Sequence, residues 1–155
     1  MQLLVLSSHA PSLVNFRGPL IEAVLARGLE VHAAAPGLMG DGKVRSWLEA
    51  RGVVCHDAPF TRTGLNPFHD ILALFRLRRL MRRISPDLVF SYSIKPNIWG
   101  GLAAASLGIP SVALVNGLGY AFADTERASA TQRFVRVIVR RLYRAATGRN
   151  RKVIF

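Results

Sequence analysis

The sequence predicts an α/β domain built on a parallel sheet, and three observations predict it. Apolar, β-branched runs alternate with longer segments of helical periodicity, the signature of successive βα units. The runs are nearly continuous in hydrophobicity, as strands covered on both faces are. Glycine or proline stands at most passages from helix to strand.

Strands are expected at 2–7, 30–35, 53–57, 87–91 and 111–115. Between them the periodicity predicts helices over 18–28, 43–51, 67–84, 97–107 and 128–147. Gly28, Gly52 and Gly108 lie where helices should end, each followed within a few residues by a β-rich run. Pro86 and Pro110 likewise stop helices just before strands. The closing run Lys152-Val153-Ile154-Phe155 reads as a sixth strand cut off at its end, which makes the chain the first half of something longer.

At 155 residues one domain with a substantial core is expected. Half the residues are hydrophobic and 19% charged, which excludes disorder. The start, MQLLVLSSHA, lacks a basic n-region, and no stretch approaches the roughly 20 apolar residues of a membrane span. Cys55 has no second cysteine to pair with, and no Cys/His cluster has zinc spacing. A reducing cytoplasm is the expected compartment. The net charge of +12 is the unusual bulk property, and it calls for a polyanionic neighbour, either nucleic acid or an anionic membrane face.

In an open parallel sheet ligands bind beyond the carboxyl ends of the strands, where strand order reverses. With the order 3-2-1-4-5 that crevice lies between the first and fourth strands. Three loops should meet there: Ser7 to Gly18, Ser91 to Asn97, and Asn116 to Phe122. The first, SSHAPSLVNFRG, carries Ser8, His9, Asn15 and Arg17 before Gly18 opens a helix whose N-terminus attracts anions. The competing reading has Asn15 capping that helix and Arg17 solvated. His9 alone is more often structural than catalytic. In the second loop, SIKPN, Lys95 puts an ammonium near the positive end of the fourth helix, an arrangement that an anion sharing the site would resolve. Asn97 is a binding candidate or a plain helix cap; Trp99, Gly100 and Gly101 read as close packing. In the third, NGLGYAF, Gly117 and Gly119 after Asn116 turn the backbone sharply enough to present N–H groups, or simply make a tight turn. Tyr120 and Phe122 either stack on a sugar or fill a groove.

Two helices carry basic stripes. Arg76, Arg79 and Arg83 recur at helical spacing in LFRLRRLMRR, and Arg133, Arg136, Arg140 and Arg144 follow one face of the last helix. Phe134, Val135, Ile138 and Leu142 are expected on its opposite, packed side. Such helices suit an anionic membrane surface, a nucleic acid or open solvent.

Taken together, NFRGPLIEAVLARGLEVHAAAP, SYSIKPNIWGGLAAASLGIPSVALVNGLGYAF and the closing RKVIF resemble the N-terminal domain of family 4 glycosyltransferases of the GT-B fold, particularly those that build bacterial capsule and exopolysaccharide repeat units. The resemblance covers nearly the whole chain. Its most specific parts are Lys95-Pro96-Asn97 and Gly117-Leu118-Gly119-Tyr120. It implies a Rossmann-like, acceptor-side half spanning 1–155 of a two-domain enzyme, peripheral at the inner face of the cell membrane. That enzyme moves a sugar from a nucleotide-sugar to a polyprenyl-diphosphate-linked saccharide, without a metal or other cofactor. The donor nucleotide is held by a C-terminal domain with paired glutamates, absent here. Asn116 departs from the histidine that often follows the fifth strand in this family, so Asn116 and His9 remain weak catalytic candidates. An epimerase or dehydrogenase would share the sheet but should show a G-x-G-x-x-G run, which is missing. A nucleic-acid-binding domain accounts for the charge without any recognisable motif, and a non-catalytic sugar- or anion-binding module is the remaining alternative.

Overall fold

A computed structural model describes residues 1–60, 67–116 and 130–154, the side chains of 67 and 130–136 excepted. Six parallel strands form one sheet in the order β3-β2-β1-β4-β5-β6. They are β1 (Gln2–Leu6), β2 (Glu30–Ala35), β3 (Val54–Asp57), β4 (Leu88–Tyr92), β5 (Ser111–Leu114) and β6 (Lys152–Ile154). All five expected strands are present in the expected order, and Lys152–Ile154 pairs in parallel with β5 as the sixth.

The helices are α1 (Pro11–Asn15), α2 (Gly18–Leu25), α3 (Gly42–Glu49), α4 (Pro67–Ile84), α5 (Gly101–Ala105) and α6 (Ala130–Thr147), with a π-helical turn at Pro96–Gly100 leading into α5. The segment expected as one helix over 97–107 is therefore a π turn followed by a short α-helix. Helix α1 was expected as loop; Pro11 pre-sets its first turn and buried Leu13 anchors it.

Helices α2, α3 and α5 end alike. The amides of Leu29, Val53 and Ile109 reach back to the carbonyls of Val24, Leu48 and Ala104 at 3.4, 3.1 and 3.0 Å. Each closure needs a left-handed residue just before the returning amide, and glycine takes it at φ 75, 80 and 70°. The chain thus leaves each helix pointed back at the sheet.

Successive residues of β1 enter opposite cores. Leu3 and Val5 pack with Leu13, Ile21, Val44 and Leu48 beneath α1, α2 and α3. Leu4 and Leu6 pack with Ala73, Leu77, Met81 and Ala104 beneath α4 and α5. The result is the three-layer α/β arrangement the sequence predicts. Gly100 belongs to the second core: a Cβ there would stand 2.6 Å from Leu6 Cδ1. Close packing is the role expected for this glycine.

Candidate functional site at the carboxyl edge

Because all six strands are parallel, the segments after β1, β4 and β5 leave the sheet at the same edge, and β1 lies beside β4. Hydrogen bonds tie these segments together across the strand-order reversal. The link between the first two runs through hydroxyls. Ser7, fully buried at the end of β1, accepts from the His9 amide at 3.0 Å and lies 2.9 Å from Ser12 Oγ. Ser12 donates to the His9 carbonyl at 2.6 Å, so its oxygen is free to accept from the Tyr92 hydroxyl 2.9 Å away. Burial pushes the Tyr92 hydroxyl above its ordinary pKa, partly offset by Ser12, Ser7 and the Arg17 charge. It therefore stays a neutral donor at physiological pH.

Arg17 lies over Tyr92, its guanidinium carbon 4.7 Å from the ring centroid. It occupies the N-cap position of α2 without a side-chain capping bond, and Nη1 donates to the Phe16 carbonyl at 2.9 Å. Asn15 is the exposed last residue of α1 and does not cap α2; Arg17 has taken that position. Ser8 and His9 are half-buried in the turn. The His9 backbone makes the hydrogen bonds above, while its ring has no hydrogen-bond partner among the described residues. Gly18 is buried against α3, where a Cβ would come 3.3 Å from the Trp47 ring. Its small size serves helix packing.

The second link joins β4, β5 and α6 through Asn97, which is 1% exposed. Its Oδ1 accepts from Ser91 Oγ at 2.8 Å, and its Nδ2 donates to the Leu114 carbonyl and to the Tyr143 hydroxyl, both at 2.9 Å. The amide is committed inside the fold and caps no helix, since the N-cap position of the π turn is Lys95. Lys95 has the anion the sequence called for, but from the protein itself: Nζ lies 3.1 Å from Asp70 Oδ1 in the first turn of α4, with the two side chains 13% and 8% exposed. The turn before it requires Ser93 at φ 74°, a left-handed conformation that costs a serine about 1–3 kcal/mol. Asn116 is exposed at the bend just after β5. Gly117, Gly119, Tyr120 and Phe122 lie outside the described residues.

Beside the end of β3, Arg76, Arg79 and Arg83 are exposed on α4 and line a shallow groove with Asp57, Ala58 and Pro59. Arg140 and Arg144 face outward on α6, while the side chains of Arg133 and Arg136 fall outside the described residues, as do those of Phe134 and Val135. The packed stripe of α6 differs from the expected one. Val139 and Ala146 are buried against the π turn and α5, with half-buried Leu142 and Tyr143 between them, whereas Ile138 is 41% exposed. Asn97 explains the rotation: its bond to Tyr143 fixes which side of α6 faces inward.

The sequence reading missed three features. Ser12 and Tyr92 were passed over because each looks like ordinary loop or core until the strands are laid side by side. The third is the outward face of α4, where Phe68, Ile71, Leu72 and Phe75 are 83, 50, 45 and 59% exposed, one turn before the arginines. An excess of apolar residues over a single stripe in PFHDILALFRLRRLMRRI was the available signal. Cys55 offers no nucleophile, since burial pushes its thiol up to about 11. Among the described residues no group of three or more His, Cys, Asp or Glu can hold a metal ion, and no helix is long and apolar enough to cross a membrane.

Residues 20–155 match the family described as Glycosyltransferase Family 4. The chain is 33% identical over 136 residues to the N,N'-diacetylbacillosaminyl-diphospho-undecaprenol alpha-1,3-N-acetylgalactosaminyltransferase of Campylobacter jejuni. That match takes in 87% of this chain but 35% of the relative, so the chain spans about a third of that protein. In fold it is similar to MurG of Acinetobacter baumannii, with a TM-score of 0.60 at 16% identity, over 98% of this chain and 40% of that one. It is similar also to the UDP-GlcNAc 2-epimerase of Neisseria meningitidis, with a TM-score of 0.60 at 16% identity, over 94% of this chain and 38% of that one. These two likenesses concern the fold alone.

Proposed function

Because this chain belongs to the family 4 glycosyltransferases, we propose that it is the acceptor-side domain of an enzyme moving a sugar from a nucleotide-sugar to a polyprenyl-diphosphate-linked saccharide. The observation that carries this reading is the joining of the β1 and β4 segments at the carboxyl edge, through Ser7, Ser12 and Tyr92 with Arg17 stacked above. That arrangement offers a cation, backed by the buried Tyr92 ring, at the strand-order reversal, the position where parallel sheets take ligands. The relative's name, with its diphospho-undecaprenol carrier, supports a lipid-linked acceptor.

In this proposal the domain works by positioning. Asn97 and Lys95 hold the segments that follow β4 and β5, Arg17 on its Tyr92 support receives the acceptor, and Asn116 stands at the same sheet edge after β5. Donor binding and the groups that activate it come from a second domain. Holding both substrates in reactive geometry is worth as much as about 7–11 kcal/mol of barrier, which a one-sided cleft forgoes. We place the domain at the inner, cytoplasmic face of the membrane, where an anionic surface meets α4 and α6. The exposed apolar half-face of α4 followed by its arginines supports this, since an interfacial helix needs both.

Calorimetric titration of the chain tests the acceptor-side reading. A polyprenyl-diphosphate-linked saccharide in mild detergent should bind at least tenfold more tightly than a UDP-sugar. Tighter binding of the UDP-sugar, or no binding of the lipid-linked saccharide, would contradict it.

A further inference from the structure

We infer that Arg17 is the receptor for a diphosphate oxyanion, with Tyr92 as the shelf that holds its guanidinium in place; naming the lipid-linked diphosphate as the source rests on the acceptor-side reading above.

Three observations converge on Arg17. First, it is a cation on the positive end of α2, where the helix dipole disfavours it unless an anion is present. The comparable conflict at Lys95 is resolved internally by Asp70, but Arg17 has no carboxylate within ion-pair distance among the described residues. Second, Nε is shielded from solvent yet has no hydrogen-bond partner among the described residues. A buried donor left unmade is costly, and a guanidinium presents its Nε and Nη groups as a fork matched to two oxygens of one phosphoryl group. Third, the side chain is held where it is. The guanidinium lies 4.7 Å from the Tyr92 centroid, Nη1 is anchored to the Phe16 carbonyl at 2.9 Å, and the Tyr92 hydroxyl is pinned by Ser12 at 2.9 Å. A pre-organised fork loses little freedom on binding.

Serine and tyrosine hydroxyls beside the fork are neutral, so the site carries one positive charge against the two or more of a diphosphate. It therefore grips one phosphoryl group rather than neutralising the pair. This suits a substrate that must slide off after transfer.

The test follows the Arg17 Nε–H resonance in 15N-labelled protein during titration with inorganic pyrophosphate, geranyl diphosphate and UDP. A saturable shift is expected, with geranyl diphosphate acting at lower concentration than UDP. Arg17→Gln should weaken pyrophosphate binding at least tenfold, and Arg17→Lys, which keeps the charge without the fork, by less. If none of the three anions moves the resonance, or if a folded Arg17→Gln binds pyrophosphate as wild type does, the proposal is wrong. Should Arg17→Gln fail to fold, the wild-type resonance decides alone. A response to UDP ahead of geranyl diphosphate would uphold the oxyanion receptor and contradict the acceptor-side reading. Lipid-linked saccharide binding untouched in Arg17→Gln would do the reverse.

Discussion

At the scale of single residues, the carboxyl edge is held by polar side chains that satisfy one another out of water. Removing Asp70 strips the carboxylate from Lys95, which is only 13% exposed. Breaking one side of a buried pair costs about 3–5 kcal/mol, whereas replacing both by apolar residues is often nearly neutral. Asp70→Asn should therefore lower the urea unfolding free energy by about 3 kcal/mol, and Asp70→Leu with Lys95→Met should restore most of it. An undiminished single variant would show that the pair is not the anchor. Sequence alone revealed that Lys95 needed an anion but not where it came from, because Asp70 lies 25 positions upstream with no local pattern connecting them. Asn97 was legible as a polar residue at a special place. Its three partners come from β4, β5 and α6, and only the assembled fold brings them together. The edge strand supplies a pH prediction. His32 Nδ1 and His56 Nε2 lie 2.9 Å apart on β2 and β3, with the rings stacked. Both pKa values are lowered, mainly by burial; Glu30 opposes this at His32, while His32 and Arg83 add to it at His56. The fold favours neutral rings, so this stabilisation is present above the unfolded value of about 6.5 and is lost as pH falls through the lowered native values. Each extra proton bound by the unfolded chain steepens the decline by at most about 1.4 kcal/mol per pH unit. Thermal melts from pH 7.5 to 5 should fall faster for wild type than for His32→Gln/His56→Gln; parallel curves would remove the pair from the explanation.

At the scale of elements, the glycine-ended helices made the fold readable: three identical helix exits set three strand starts, and their sequence signature is local. Helix α1 was not readable for the opposite reason. Five residues give too little periodicity to register against a loop. The π turn passes so close to β1 that Gly100→Ala should cost about 1–3 kcal/mol through overpacking on Leu6, measurable by denaturant unfolding. A neutral substitution would mean that Leu6 moves aside freely. Periodicity also found the arginines of α4 but not the apolar half-turns before them, because a hydrophobic pattern does not say which of its residues stay uncovered. If α4 meets an anionic bilayer, each arginine near the surface contributes on the order of 1 kcal/mol, and salt weakens the binding. Co-sedimentation should show preference for anionic over neutral vesicles, reduced by Arg79→Gln/Arg83→Gln and by Phe68→Ser/Phe75→Ser. Equal binding to both vesicle types would contradict the electrostatic part.

At the scale of the whole molecule, one parallel sheet brings the segments after β1, β4 and β5 to the same edge; alternation and punctuation placed its strands, and the usual order of such sheets, 3-2-1-4-5, arranged them as observed. What the sheet cannot supply by itself is the opposing wall of a cleft. The chain has nine carboxylates in all, and three described ones at the carboxyl edge have structural tasks: Asp70 is bound to Lys95, Asp57 accepts the Met39 amide and Asp41 caps α3. The account therefore rests on division of labour between two domains. Its most direct test is a transfer assay with radiolabelled nucleotide-sugar and lipid-linked acceptor, comparing residues 1–155 with a longer polypeptide that carries a second, donor-binding domain. The account predicts label in the lipid fraction only for the longer polypeptide, and turnover by residues 1–155 at a comparable rate would contradict it.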